Sequence, residues 1–129
     1  MVSLPTSTAF QEFRRNTEIS IALVMKQQPK KFELYSIVLH YLSYKITENL
    51  RKIYLDVDFG SEKIILTAIY RNTLTELELE LLDDIVTNSN ASIPDFFVEA
   101  RVKLVHEYNE NEKHDFLLFA FFDESRYDQ

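Results

Sequence analysis

The feature that most constrains this chain is a change of apolar period on either side of its single glycine. In "IYLDVDF" (53–59), Ile53, Leu55, Val57 and Phe59 alternate with Tyr54, Asp56 and Asp58. A period of two places the first set on one face of a strand and the second set on the other. "GSE" (60–62) supplies a short turn, with Gly60 available for a positive φ. "KIILTAIYR" (63–71) returns as a strand that is apolar on both faces, which predicts a central place in a sheet. A hairpin at 53–71 therefore anchors the fold.

The segment after it, "TLTELELELLDDIVTNSN" (73–90), also alternates at first sight, with five acids in the nine residues from Glu76 to Asp84. At 100° per residue it resolves better as a helix. Leu74, Leu77, Leu79, Leu81, Leu82, Ile85 and Val86 form one broad apolar arc. Glu76, Glu80, Asp83 and Asp84 form the opposite stripe. Glu78 falls within the apolar arc and has its own explanation. Thr75-x-x-Glu78 is a capping box, in which the glutamate reaches back to the cap amide. The reading is a helix over 75–88.

Upstream, "STAFQEFRRNTEISIALVMKQQ" (7–28) reads as a helix that Pro29 breaks. Leu34, Ile37, Val38, Tyr41, Leu42 and Lys45 then follow helical spacing over 31–46. Downstream, "FFVEARVKLVHE" (96–107) alternates, with Val98, Ala100, Val102 and Leu104 on one face and Glu99, Arg101 and Lys103 on the other. "NENEK" (109–113) is a polar turn, and "DFLLFAFF" (115–122) is an apolar run that reads as a buried or central strand. The tail "DESRYDQ" is expected to fray. The resulting class is α+β: two N-terminal helices followed by β-β-α-β-β, with two hairpins forming a four-stranded, mainly antiparallel sheet. The 129 residues are expected to form a single domain, with 1–30 a helical extension, 31–48 a helix and 49–123 the β-β-α-β-β unit.

Composition narrows the chemistry. There is no cysteine, so disulfides and thiolate metal sites are excluded and a reducing, cytoplasmic compartment fits best. No apolar run approaches a membrane span of roughly 20 residues, and "MVSLPTSTAF" does not read as a secretion signal. A single glycine rules out a glycine-rich phosphate loop, and no cofactor motif is present. Net charge is −7, and residues 72–100 carry seven acids with no lysine or arginine. Such a surface repels a phosphate backbone, which argues against direct nucleic-acid binding, and complements a basic protein.

Two groups of residues could carry catalysis. Asp56 and Asp58 share a strand face, as acid–base or metal-binding carboxylates can. His106 and His114 flank the last predicted turn, near Glu107 and Asp115, where they could face each other across a hairpin. In both cases ordinary half-exposed strand and turn positions explain the residues as well, and no His-Glu-x-x-His or Gly-x-Ser-x-Gly motif occurs. An enzyme is thus the minority reading, and neither a metal nor a catalytic residue is assigned. The seven tyrosines (Tyr35, Tyr41, Tyr44, Tyr54, Tyr70, Tyr108 and Tyr127) are many for one small domain. Tyrosine serves interfaces as well as core edges.

Residues 34–93 also resemble bacterial immunity proteins of polymorphic toxin and contact-dependent growth inhibition systems. The resemblance rests on "NLRKIYLDVDF" (49–59), on "KIILTAIY" (63–70), and on a helix opening as "TLTELELELLDDIVT" before two more strands. Asp56, Asp58, Tyr70, Glu78, Leu81 and Asp84 stand at the recurring positions. The acidic "FLLFAFFDE" departs from the basic residues that such proteins often carry near the last strand. The resemblance implies a non-catalytic inhibitor that binds a cytosolic toxin domain, often a basic nuclease (RNase or tRNase). Glu76, Glu80, Asp83 and Asp84, with Asp56 and Asp58, are the residues expected to meet the toxin's lysines and arginines. Monomer and homodimer stay open, as does the alternative of an intracellular adaptor or regulatory subunit.

Overall fold

The computed structural model describes residue 25 and residues 27–121. The expected helix over 7–28 and the tail from residue 122, Tyr127 included, lie outside the described residues, the former except for its last few positions. Contacts divide the chain into two units, Met1–Glu33 and Leu34–Gln129. In the first, residues 27–33 are helical, with a Lys30–Glu33 pair at 3.6 Å. Pro29 lies within this helix and does not break it. Proline's fixed φ is itself helical, and what it removes is one amide donor.

The second unit holds helix α1 (residues 34–40), strands β1 (Leu50–Asp58) and β2 (Lys63–Tyr70), helix α2 (Glu76–Ser92), strand β3 (Phe97–Leu104), a short 3-10 turn (Val105–Glu107) and strand β4 (Phe116–Ala120). The sheet order is β3-β2-β1-β4. β1 pairs antiparallel with both β2 and β4, while β2 and β3 pair in parallel through α2. The fold is α+β with a four-stranded mixed sheet.

The predicted second hairpin is not formed. β2, β3 and β4 all run in one direction, so β3 and β4 cannot join through a tight antiparallel turn. They occupy opposite edges, and residues 105–115 cross between them. β4 is accordingly an edge strand and not a central one, with Leu117 half exposed. Apolar content on both faces did not distinguish the two positions.

The register sorts side chains onto two faces. Ile53, Leu55 and Val57 align with Ala68, Leu66 and Ile64, and these with Val102, Ala100 and Val98. On this face lies the core, to which α1 contributes Leu34 and Val38, the turn after it Leu42, and α2 Leu82 and Ile85. The ring of Tyr35 lies 4.8 Å from that of Phe116, securing β4 on the same face.

α1 ends at His40, short of the predicted residue 46. Tightened bonds follow, from the Leu42 amide to Leu39 and from Lys45 to Leu42, and Tyr44 takes a left-handed φ of 64°. At the β1–β2 turn the positive φ belongs to Glu62 (54°) and not to Gly60. Gly60 serves differently. Its amide, at 3.0 Å, and that of Ser61, at 3.3 Å, donate to Asp58 Oδ1, closing an Asx-type turn.

Candidate functional site

α2 begins as its sequence predicts. Thr75 is the N-cap, its Oγ1 accepts from the Glu78 amide at 3.2 Å, and Glu78 Oε1 accepts from the Thr75 amide at 3.1 Å. Glu78 is 7 % exposed and also accepts from Thr47 Oγ1 at 2.7 Å and Asn49 Nδ2 at 3.3 Å. Burial pushes its carboxyl up, but the bonds from Thr47, Thr75 and Asn49 outweigh burial and hold it below the usual range. The same charge helps hold the Tyr70 hydroxyl, with burial the larger cause, up at about 12. Glu78 therefore clamps the start of α2 to the segment before β1.

The helix runs to Ser92, four residues beyond its predicted end. Its C-terminal half is tied down by Asn90, whose side chain bonds the backbone of Val98, and by a Tyr41–Ser92 hydroxyl contact. The buried face centres on Glu78, Leu82, Ile85 and Ser89. The predicted apolar arc was too broad, since Leu77 and Leu79 are 61 % and 52 % exposed.

Of the six acids expected to form one surface, four lie on the exposed side of α2 and two do not join them. Glu76, Glu80 and Asp83 are exposed and have no ion-pair partner among the described residues. Asp84 lies on another flank and pairs with Lys45 at 3.1 Å. Asp56 projects from the face of β1 opposite to the core. Asp58 is exposed at the turn, where the side chain and amide of Ser61, with Gly60, hold its carboxyl below the usual range.

Asp56 has a partner that alternation could not reveal. Its Oδ2 lies 2.6 Å from His114 Nδ1, and its Oδ1 accepts from the Asp115 amide at 2.8 Å. His114 Nε2 is 3.1 Å from the Tyr108 hydroxyl. The imidazole stacks on Tyr54 at 4.1 Å between ring centres, and its side chain is 4 % exposed. Burial, together with Tyr54, pushes the Tyr108 hydroxyl above its ordinary range. Asp115 in turn accepts from the Val57 amide at 2.9 Å. These contacts pin the 105–115 crossing to the sheet. His106 is instead exposed beside Glu107, so the two histidines are not the matched, solvent-facing pair that a hairpin would give. Among the described residues no group of three or more histidine, aspartate or glutamate side chains is placed to hold a metal.

A shallow groove between α2 and β3 is lined by Leu79, Leu82, Asp83, Val86 and Ala100. On the other flank of α2, Tyr44 is fully exposed next to the Lys45–Asp84 pair. α2 thus presents unpaired acids between an apolar groove and an exposed aromatic side chain.

The sequence profile of MafI2 immunity proteins matches residues 31–123, from the end of the first unit through β4. The chain belongs to the MafI2 immunity protein family. Membership bears out the resemblance read from residues 34–93 and assigns an immunity role directed against a toxin. No curated protein sequence matches the chain. Among the described residues no helix is long and apolar enough to cross a membrane.

Proposed function

We propose that this MafI2-family protein neutralises its cognate toxin by stoichiometric binding, without catalysis, through the exposed acidic side of α2. The observation that carries this reading is the division of labour among the acids. Asp56, Asp58, Glu78 and Asp84 are engaged within the fold, whereas Glu76, Glu80 and Asp83 hold unpaired charge on one helix. Unpaired surface carboxylates contribute little to stability and much to steering a cation-rich partner. Tyr44 supports the same surface. A fully exposed tyrosine in left-handed conformation costs folding free energy, and its large face suits a contact.

The toxin domain that this surface fits best is a basic nuclease, an RNase or tRNase, acting in the cytosol. An enzyme that binds a polyanion is itself cationic, so an acidic inhibitor uses the electrostatics of its substrate. Co-expression with the toxin encoded directly upstream tests the reading. Restored growth and a co-purifying complex support it, and continued toxicity with no complex refutes it.

A further inference from the structure

The outer edge of β3 is closed at both ends and open in the middle. The Val98 amide donates to Asn90 Oδ1 at 2.7 Å, and the Val98 carbonyl accepts from Asn90 Nδ2 at 3.0 Å. A carboxamide offers the same donor and acceptor as a peptide group, so Asn90 stands where a neighbouring strand would bond. These contacts also fix direction. The backbone groups of Val98 point away from β2, and in a parallel ladder that direction alternates along the strand. The Phe97 amide accordingly turns the other way, to the Glu62 carbonyl at 2.9 Å. Ala100, Val102 and Leu104 share the outward sense of Val98. The Leu104 amide meets Glu107 at a long 3.5 Å. Ala100 and Val102 have no partner beyond the edge among the described residues.

Directly above this opening lies the α2–β3 groove, with Leu79 and Val102 52 % and 42 % exposed. At 100° per residue, Glu76, Leu79, Asp83, Val86 and Asn90 share one flank of α2, so Asp83 lines the groove and Glu76 follows on the same flank. We propose that the β3 edge at Ala100 and Val102 takes up an extended segment of the toxin as a fifth strand. That segment would place an apolar side chain in the groove and a lysine or arginine against Asp83 and Glu76. Main-chain bonds supply affinity in such strand addition, and alternate side chains supply specificity. Charge selects the toxin over a second copy of this chain, since pairing β3 with itself brings two acidic α2 flanks together. The proposal rests on toxin binding as read above and adds the place and the mode.

Hydrogen exchange on the full chain, free and bound to the cognate toxin, tests it. Amides at 100 and 102 are expected to exchange freely in the isolated protein and to slow at least tenfold in the complex. Val102→Pro removes an outward amide without taking a bond from the β2 ladder, and proline is tolerated at such edge positions. It is expected to weaken toxin binding at least tenfold with little change in Tm. A wild-type complex that leaves both amides unprotected overturns the proposal, as does protection already present in the free protein and growing with its concentration. A wild-type protein that binds no toxin overturns instead the reading on which the proposal rests.

Discussion

Replacing Glu78 with glutamine tests the most sequence-determined contact in the molecule. The carboxylate accepts from Thr47 Oγ1, the Thr75 amide, Thr75 Oγ1 and Asn49 Nδ2 at 2.7–3.3 Å. Glutamine keeps the volume and one acceptor but loses the charge, and its NH2 end faces a donor. Hydrogen bonds to a charged group contribute about 1.5–3 kcal/mol and neutral ones roughly half as much, so the expected loss is about 1–2 kcal/mol at pH 7. The pH dependence has a definite sign. Because the folded carboxyl lies below its ordinary value, its stabilisation is present above the unfolded pKa and is lost as pH falls through the folded one. Urea unfolding of wild type and Glu78→Gln should therefore differ most at pH 7 and converge well below pH 4. Equal stability at pH 7, or a gap that persists undiminished at low pH, would refute the reasoning.

The other expectations concern separate parts of the fold. Tyr70 titrates at about 12, above its unfolded value, so its contribution is complete below pH 10 and is lost as pH rises through 12. Tm should fall steeply over that interval, and less so in Tyr70→Phe. Ser89 Oγ is buried with no hydrogen-bond partner among the described residues, so Ser89→Ala should raise stability by about 1 kcal/mol in urea unfolding. Asp56→Ala strips His114 and the Asp115 amide of their acceptor and should cost about 2–3 kcal/mol. Its folded fraction should bind toxin with unchanged affinity in calorimetry. Tyr44→Gly relieves a left-handed side chain and should stabilise by about 0.5–1 kcal/mol while weakening toxin binding.

What was legible in the sequence was local. Thr75 and Glu78 lie three residues apart, and their capping geometry follows from that spacing alone. The alternation in 53–59 correctly sorted Ile53 and Leu55 from Tyr54 and Asp56. What escaped was set by distant partners. Asp56 gains its role from His114, on the far side of two strands and a helix, and period-two arithmetic reads it only as a polar-face residue. The place of β4 depends on β3 having paired in parallel with β2, which a strand's own composition does not encode. Asn90 lies just past the helix expected over 75–88, and an amide side chain shortly before an alternating strand is a signal that it can bond that strand. The apolar arc of α2 is narrower than its leucine content implies, because Leu77 and Leu79 stay in solvent.

The proposed toxin contact depends most directly on the acids of α2. The decisive measurement is the affinity of the cognate toxin for wild type and for the Glu76→Lys, Glu80→Lys, Asp83→Lys triple variant, at low and at physiological salt. Three reversed contacts at about 0.5–1 kcal/mol each, with added repulsion, predict a loss well above tenfold, since about 1.4 kcal/mol is one decade. The loss should reside partly in the association rate and shrink as salt rises. A folded triple variant that binds the toxin as tightly as wild type at both salt concentrations would contradict the account.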